Sequence, residues 1–259
     1  MNKKKEITSW EGVSQWYNKA VGTTGHYFHE KIILPKILSL LDIRKDSKAS
    51  LLDLACGQGI LSRHLPPTLE YLGVDISPSL IKAAQEQNNK KHHSFVLSDI
   101  TMPLPASVSK KNFHFCTIIL ALQNLQHPLD AMKNAFKHLA PEGKLLIVMN
   151  HPCFRIPRQS SWGVDLKTTT QYRRIDRYYS CLKIPIQSHP SQGDLSTETL
   201  SFHHPLSQWS LWLKEAGFVI ELIEEWCSDK KSTGKYAKME DISRNEIPLF
   251  LSFIAKKLK

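Results

Sequence analysis

A chain of 259 residues, 41% apolar and 22% charged, is long enough for one large α/β domain or one domain with an insertion, and is too apolar to be disordered. Its five cysteines (56, 116, 153, 181 and 227) are odd in number and form no Cys-x-x-Cys pair, which argues against a disulfide framework or a structural zinc site and for a reducing, cytoplasmic compartment. The net charge of +10 divides as +6 over residues 1–150 and +4 over 151–259, a solvated surface rather than a basic stripe; no apolar run approaches the roughly 18 residues of a membrane span, and MNKKKEITSWEG leads into no apolar stretch of the kind a signal peptide has.

Along the chain, residues 10–41 read as helical, with Ile32, Ile33, Ile37, Leu38, Leu40 and Leu41 at helical spacing and Pro35 able to start or kink a helix. After the polar break IRKDSKAS, SLLDLA reads as a buried strand and GILSRHLPPT as a short helix stopped by its prolines. YLGVDIS is a second strand, and SPSLIKAAQEQNN a helix that Ser77 can cap with Pro78 at its first position. SFVLSDI and NFHFCTIILALQNL are the third and fourth strands. The helix HPLDAMKNAFKHLA, ended by Pro141 and Gly143, leads to a fifth strand, KLLIVMNH. Strands that are continuous apolar runs, alternating with helices, indicate a parallel sheet covered on both faces.

Residues 151–205 break this rhythm: they hold prolines at 152, 157, 185, 190 and 205 and little apolar periodicity, and read as an insertion. PLSQWSLWLKEAGF is then an amphipathic helix, and FVIELIEEW and IPLFLSFIAKK are strands with no crossover helix between them, so they should pair antiparallel. The expected organisation is a helical cap (1–44), a Rossmann-like core (45–150), a lid over the substrate (151–205), and a helix with antiparallel strands completing the core (206–259).

The run LLDLACGQG at 51–59 raises the functional question, because it places Asp53 in a buried strand directly before Gly57 and Gly59. Ligands of open parallel sheets bind beyond the strands' carboxyl ends, where glycines allow tight turning and close approach. A dinucleotide site needs a third glycine, but Ser62 follows Gly57-Gln58-Gly59-Ile60-Leu61, and the Asp53 carboxylate would repel phosphates. It suits a ligand carrying an amine or sulfonium. Asp75, 22 residues on, ends the second strand where an acid can accept from a ribose diol, and Asp99 ends the third.

D-L-A-C-G-Q-G at 53–59, V-D-I-S at 74–77, S-D-I at 98–100, LALQNL at 120–125 and LAPEGKLLI at 139–147 together resemble the motifs of class I S-adenosylmethionine-dependent methyltransferases. The resemblance spans roughly residues 45–150. It implies an α/β fold with a seven-stranded, mostly parallel, doubly wound sheet ending in an antiparallel strand pair, and S-adenosylmethionine as cofactor. It also implies roles. Asp53 would order the methionine end, with Ala55, Gly57 and Gly59 forming the loop against it. Asp75 would take the ribose hydroxyls and Ile76 pack on adenine; Asp99 would accept from the adenine amine while the Ile100 backbone reads the ring. Leu120 and Ala121 would offer backbone contacts near the methionine. Cys56 stands where the family tolerates small residues, so no nucleophilic role is expected.

Methyl transfer needs alignment more than fixed catalytic groups, and no ligand cluster demands a metal. The insertion mixes Arg155, Arg158, Arg173, Arg174 and Arg177 with Phe154, Trp162, Tyr172, Tyr178 and Tyr179. Arginines recognise carboxylate or phosphate and aromatic faces stack on planar groups, so Arg155, Arg173, Arg174 and Tyr178 are candidates to bind a small aromatic or anionic acceptor. The bland alternative is a lid pinned by arginine pairs with Asp165 and Asp176. Among histidines, His151 is the candidate base by position just past the fifth strand; His26, His29, His203 and His204 are also available. Two other functions fit the motifs: an RNA methyltransferase, favoured by the pI of about 9.3, and a non-catalytic cofactor-binding partner subunit. Against a base methylase, LQNL lacks the N/D-P-P-Y/F run, and no RNA-binding domain is recognisable; against decay of the site, the acids at 53, 75 and 99 are intact.

Overall fold

The computed structural model describes residues 11, 22, 25–43, 49–109, 112–187 and 198–258. A single π-turn, His29–Ile33, runs into helix α1, Leu34–Leu41. Pro35 lies in the first turn of α1, and the wider preceding turn accommodates a residue that has no N–H to donate backwards.

The core follows as β1 Ser50–Leu54, α2 Ile60–His64, β2 Glu70–Asp75, α3 Pro78–Glu86, β3 His93–Leu97, α4 Ala106–Ser109, β4 Phe113–Ile119, α5 Pro128–His138 and β5 Leu139–Asn150. Ser77 caps α3 as expected, its hydroxyl accepting from the Leu80 N–H at 3.2 Å. Lys90 closes the end of α2, its Nζ donating to the carbonyls of Ser62, Arg63 and Leu65 at 2.7, 2.9 and 2.6 Å. The insertion forms β6 Ser160–Asp165, β7 Thr170–Ile175, β8 Leu182–Gln187 and β9 Glu198–His203, and the chain ends with α6 Leu206–Glu215, β10 Phe218–Trp226, α7 Ala237–Glu246 and β11 Phe250–Lys257.

Seven strands make one sheet in the order β10-β11-β5-β4-β1-β2-β3. β3, β2, β1, β4 and β5 are parallel, and β11 lies antiparallel between β5 and β10. Two buried clusters cover its faces. Leu52, Leu54, Met132 and Trp209 belong to one, and Leu51, Tyr71, Ile37 and Trp226 to the other. Burial on both faces is why the strands read as unbroken apolar runs.

Three expectations change. The insertion is not irregular: β6–β7 and β8–β9 are antiparallel hairpins. Their outer faces are largely exposed, so no continuous apolar run marked them. A helix, α7, does lie between the last two strands; it buries only Met239 and Ser243, too thin a stripe to register as amphipathic. It packs against β7, where the Ser243 hydroxyl donates to the Gln171 carbonyl at 2.9 Å. Finally, α5 stops at His138 and β5 begins at Leu139, ahead of Pro141 and Gly143, because Leu139 is buried opposite Phe113.

Candidate active site

The sheet order reverses at β1, whose neighbours are β2 on one side and β4 on the other. The loops leaving β1 and β4 therefore diverge, and a cavity of about 490 Å³ opens there, within the size range of roughly 300–1,000 Å³ usual for small-molecule sites. Ala55, Gly57 and Gly59 after β1, and Leu120 after β4, have φ of 60°, 56°, 74° and 53°. Ala55 and Leu120, two of the seven described non-glycine residues with positive φ, both line the cavity.

Eight of the residues expected to touch the cofactor line the cavity: Ala55, Gly57, Asp75, Ile76, Asp99, Ile100, Leu120 and Ala121. Asp75 is 7% exposed; its Oδ2 accepts from the Gly57 N–H at 2.8 Å and its Oδ1 from the Ser77 N–H at 2.9 Å. Burial raises its pKa, and those backbone N–H groups oppose the rise. Each carboxylate oxygen keeps lone-pair capacity for a second donor. Asp99 is oriented by Thr101, whose N–H and hydroxyl donate to its Oδ1 at 2.9 and 2.7 Å. Ile76, 47% exposed, offers an apolar surface beside Asp75.

Asp53 and Gly59 are placed elsewhere: neither lines the cavity. Asp53 is 2% exposed beneath the loop, its Oδ1 accepting from the Thr117 hydroxyl and its Oδ2 from the Tyr71 hydroxyl, both at 2.7 Å. Register explains this, since Thr117 is the β4 residue opposite Asp53. Burial pushes its carboxyl up to about 6 against the lowering effect of the two hydroxyls, with Asp75 adding a further rise. Gly59 opens α2 with its Cα towards Phe95. Cys56 is buried, with its thiol pushed well up by burial and by the two nearby acids, which keeps it protonated and unreactive.

His151 is 1% exposed, does not line the cavity, and has both ring nitrogens engaged. Its Nε2 meets Glu225 Oε1 at 2.6 Å, and its Nδ1 accepts from the Cys153 N–H at 3.2 Å. It ties the end of β5 to β10, so its geometry is that of a structural bridge rather than a base.

The acceptor candidates also separate. Arg173 donates through Nε to the Phe154 carbonyl at 2.9 Å and through Nη2 to the Ser160 hydroxyl at 2.7 Å. Arg174 pairs with Asp176 at 2.8 Å on the surface. The Tyr178 hydroxyl accepts from the Leu206 N–H at 3.0 Å. Arg173 and Tyr178 thus tie separate segments together, Arg174 pairs only within its own, and none of the three lines the cavity. Among the described residues Asp165 takes no part in such a pairing; it accepts from the Lys167 N–H of its own turn at 2.9 Å. Arg155 lies apart, on a small recess of about 30 Å³ whose wall shares Gln123, Asn150, Pro157 and Ser201 with the large cavity.

Several lining residues escaped the sequence reading. Gln123, Asn124 and Asn150 follow β4 or end β5, while Pro157, Ile186 and Ser201 come from the insertion and its hairpin. Only the prolines and the position past a strand end could have signalled them. His29, from the π-turn, is 9% exposed on the cavity wall with an unpartnered Nδ1, and burial lowers its pKa to about 4, so it is neutral. Glu11 reaches the start of α3, where it accepts from the Ser77 hydroxyl and from the Ser79 N–H at 3.2 Å.

Among the described residues lining the cavity the charged side chains are Asp75 and Asp99, with no lysine or arginine. A cationic sulfonium joined to an adenosine fits this donor and acceptor set; a pyrophosphate does not.

Comparison with known proteins agrees. The family model for the methyltransferase domain matches residues 25–223. A demethylmenaquinone methyltransferase of Chlamydia muridarum is 35% identical over 103 residues, covering 38% of this chain and 43% of the relative. One from Staphylococcus aureus is 26% identical over 149 residues, covering 56% and 60%. The chain thus spans about half the length of the curated relatives it matches. The crystal structure of an S-adenosylmethionine-dependent methyltransferase from Mesorhizobium loti has a TM-score of 0.66 at 22% identity, covering 86% of this chain and 96% of that one, so the two share a fold. With the family model extending over most of the described core, and Asp75 and Asp99 of the expected acids lining the cavity, this chain belongs to the class I S-adenosylmethionine-dependent methyltransferases.

Proposed function

We propose that this protein transfers the methyl group of S-adenosylmethionine to a small-molecule acceptor. The observation that carries this reading is the two-sided cavity at the sheet's switch point. One side holds Asp75, Ile76, Asp99 and Ile100; the other is neutral, with Gln123, Asn124, Asn150 and Ser201 among Pro157 and Ile186. The names of the demethylmenaquinone methyltransferase relatives support a small acceptor.

When bound, the cofactor supplies an electrophilic methyl on a cationic sulfur. The protein's own part is holding and alignment, which can contribute about 7–11 kcal/mol to lowering a barrier of this type. Asp75 would receive the vicinal hydroxyls and Asp99 the exocyclic amine, while Ile76 would offer its apolar surface to the base. The absence of lysine and arginine among the described lining residues leaves nothing to oppose the sulfonium. The β8–β9 hairpin serves as the acceptor-side lid, contributing Ile186 and Ser201 and limiting access of water. Neutral His29 offers its unpartnered Nδ1 on the same wall as a hydrogen-bonding group for the acceptor.

The test is incubation of the protein with labelled methyl donor and a cell extract, with and without nuclease, followed by mass spectrometry. Label should enter a low-molecular-weight product and survive nuclease treatment. Label recovered in RNA, or tight cofactor binding with no transfer to any fraction, would overturn the reading.

A further inference from the structure

We infer that the recess beside Arg155 is a carboxylate-binding subsite, which receives the end of the acceptor remote from the methylated atom. The inference rests on the methyltransferase reading and deepens it by assigning the acceptor a chemical class, a small carboxylic acid.

Position is the first support. The recess adjoins the neutral side of the cavity, with Gln123, Asn150, Pro157 and Ser201 lining both, so the acceptor's remote end lies within reach of it. Its volume of about 30 Å³ accommodates roughly two water-sized atoms, enough for a carboxylate's oxygens.

Unmet hydrogen bonding is the second. Arg155 Nε, Gln123 Oε1 and both ring nitrogens of His204 are buried without a partner, and all three side chains line this one recess. Buried polar groups are nearly always paired, so several converging on one small space mark a place where a ligand supplies the partners. Arg155 Nε and the N–H of His204 are donors, as an oxyanion requires; burial lowers His204 to about 4, leaving a neutral ring with one N–H. Gln123 Oε1, on the shared wall, accepts an O–H or N–H from the body of the same molecule.

Charge is the third. Arg155 and Arg173 both sit over the Trp162 ring, at 5.5 and 5.2 Å from its centroid. Arg173 is spent on Phe154 and Ser160, whereas Arg155 has no carboxylate partner among the described residues. Burial and the nearby charges of Arg173 and Arg244 push Arg155 down to about 10. A half-buried guanidinium crowded by two others is balanced by an anion, and Trp162 holds its plane in place to meet one.

The probes are benzoate and its neutral isostere benzamide, measured by ligand-observed NMR on the protein saturated with S-adenosylhomocysteine. Benzoate should bind at least tenfold more tightly than benzamide. Arg155→Met should abolish that preference while leaving benzamide binding and S-adenosylhomocysteine affinity unchanged. Arg155→Lys keeps the cation without the Nε–H edge and should retain part of the preference, which provides a reading if the methionine variant fails to fold. Equal binding of the two probes to the wild type, or a benzoate preference that survives in either folded variant at full strength, overturns the inference. So does a recess holding only water in crystals soaked with benzoate. Calorimetry with S-adenosylhomocysteine separates the two readings. If that ligand fails to bind, the methyltransferase reading falls; if it binds and benzoate is not preferred, only the carboxylate subsite does.

Discussion

Asp75 and Asp53 are two buried acids on adjacent strands with different work. Asp75 faces the cavity with its oxygens fixed by Gly57 and Ser77, so it is pre-oriented for a diol. Asp75→Ala should weaken S-adenosylhomocysteine binding by about 1.5–3 kcal/mol, the usual contribution of hydrogen bonds to a charged group, as read by calorimetry. Unchanged affinity would remove Asp75 from the cofactor site. Asp53 acts beneath the loop and governs stability. Its carboxyl titrates at about 6 in the folded protein, against roughly 3.9 in an unfolded chain. Between those values the folded state retains a proton that the unfolded state has released. Stability should therefore fall as pH rises from about 4 to about 6, by about 3 kcal/mol at roughly 1.4 kcal/mol per pKa unit. Urea denaturation across that range should show the slope in the wild type and a flatter profile in Asp53→Asn; parallel profiles would mean that Asp53 is not the group responsible.

At the level of elements, the loop between β1 and α2 depends on backbone conformations that few side chains tolerate. Gly59 has φ of 74°, and a Cβ there would lie 2.8 Å from Phe95 Cε1 and 3.3 Å from Ala84 Cβ. Gly59→Ala combines left-handed strain of roughly 1–2 kcal/mol with overpacking of about 1–3 kcal/mol, so a loss of about 2–5 kcal/mol is expected in equilibrium unfolding. A loss under 1 kcal/mol would show that the loop relaxes freely. The glycines were legible because a strand followed by Gly-x-Gly has few backbone solutions. The hairpins of the insertion were not, because β6 and β7 carry only exposed and half-buried residues, and β7 finds its packing partner in α7, far along the chain. For the same reason the arginine segment was ambiguous: whether Arg173 binds a ligand or the Phe154 carbonyl is decided by how the chain returns, not by composition.

At the scale of the whole molecule, one ligand should bridge loops from β1, β2, β3 and β4, since all four strands end at the same cavity. S-adenosylhomocysteine at about 100 times its dissociation constant should then raise unfolding free energy by about 2.7 kcal/mol, with hydrogen-exchange protection growing at residues 55–59, 75–77, 99–101 and 120–124. Protection spread evenly through the sheet, or absent from these loops, would contradict a common site. Among the described residues no helix is long and apolar enough to cross a membrane. The amino-acid order by itself determined the alternating strands and helices, the glycine loop and the acids at the ends of β2 and β3, because apolar runs and strand-end positions are local and a parallel sheet leaves them one arrangement. The tertiary structure alone decided that Asp53 lies under the loop, that His151 bridges two strands, and that Arg155 among the arginines reaches a recess. Those outcomes depend on register between strands and on side chains brought together across as many as 74 positions, as His151 and Glu225 are, which no local pattern encodes.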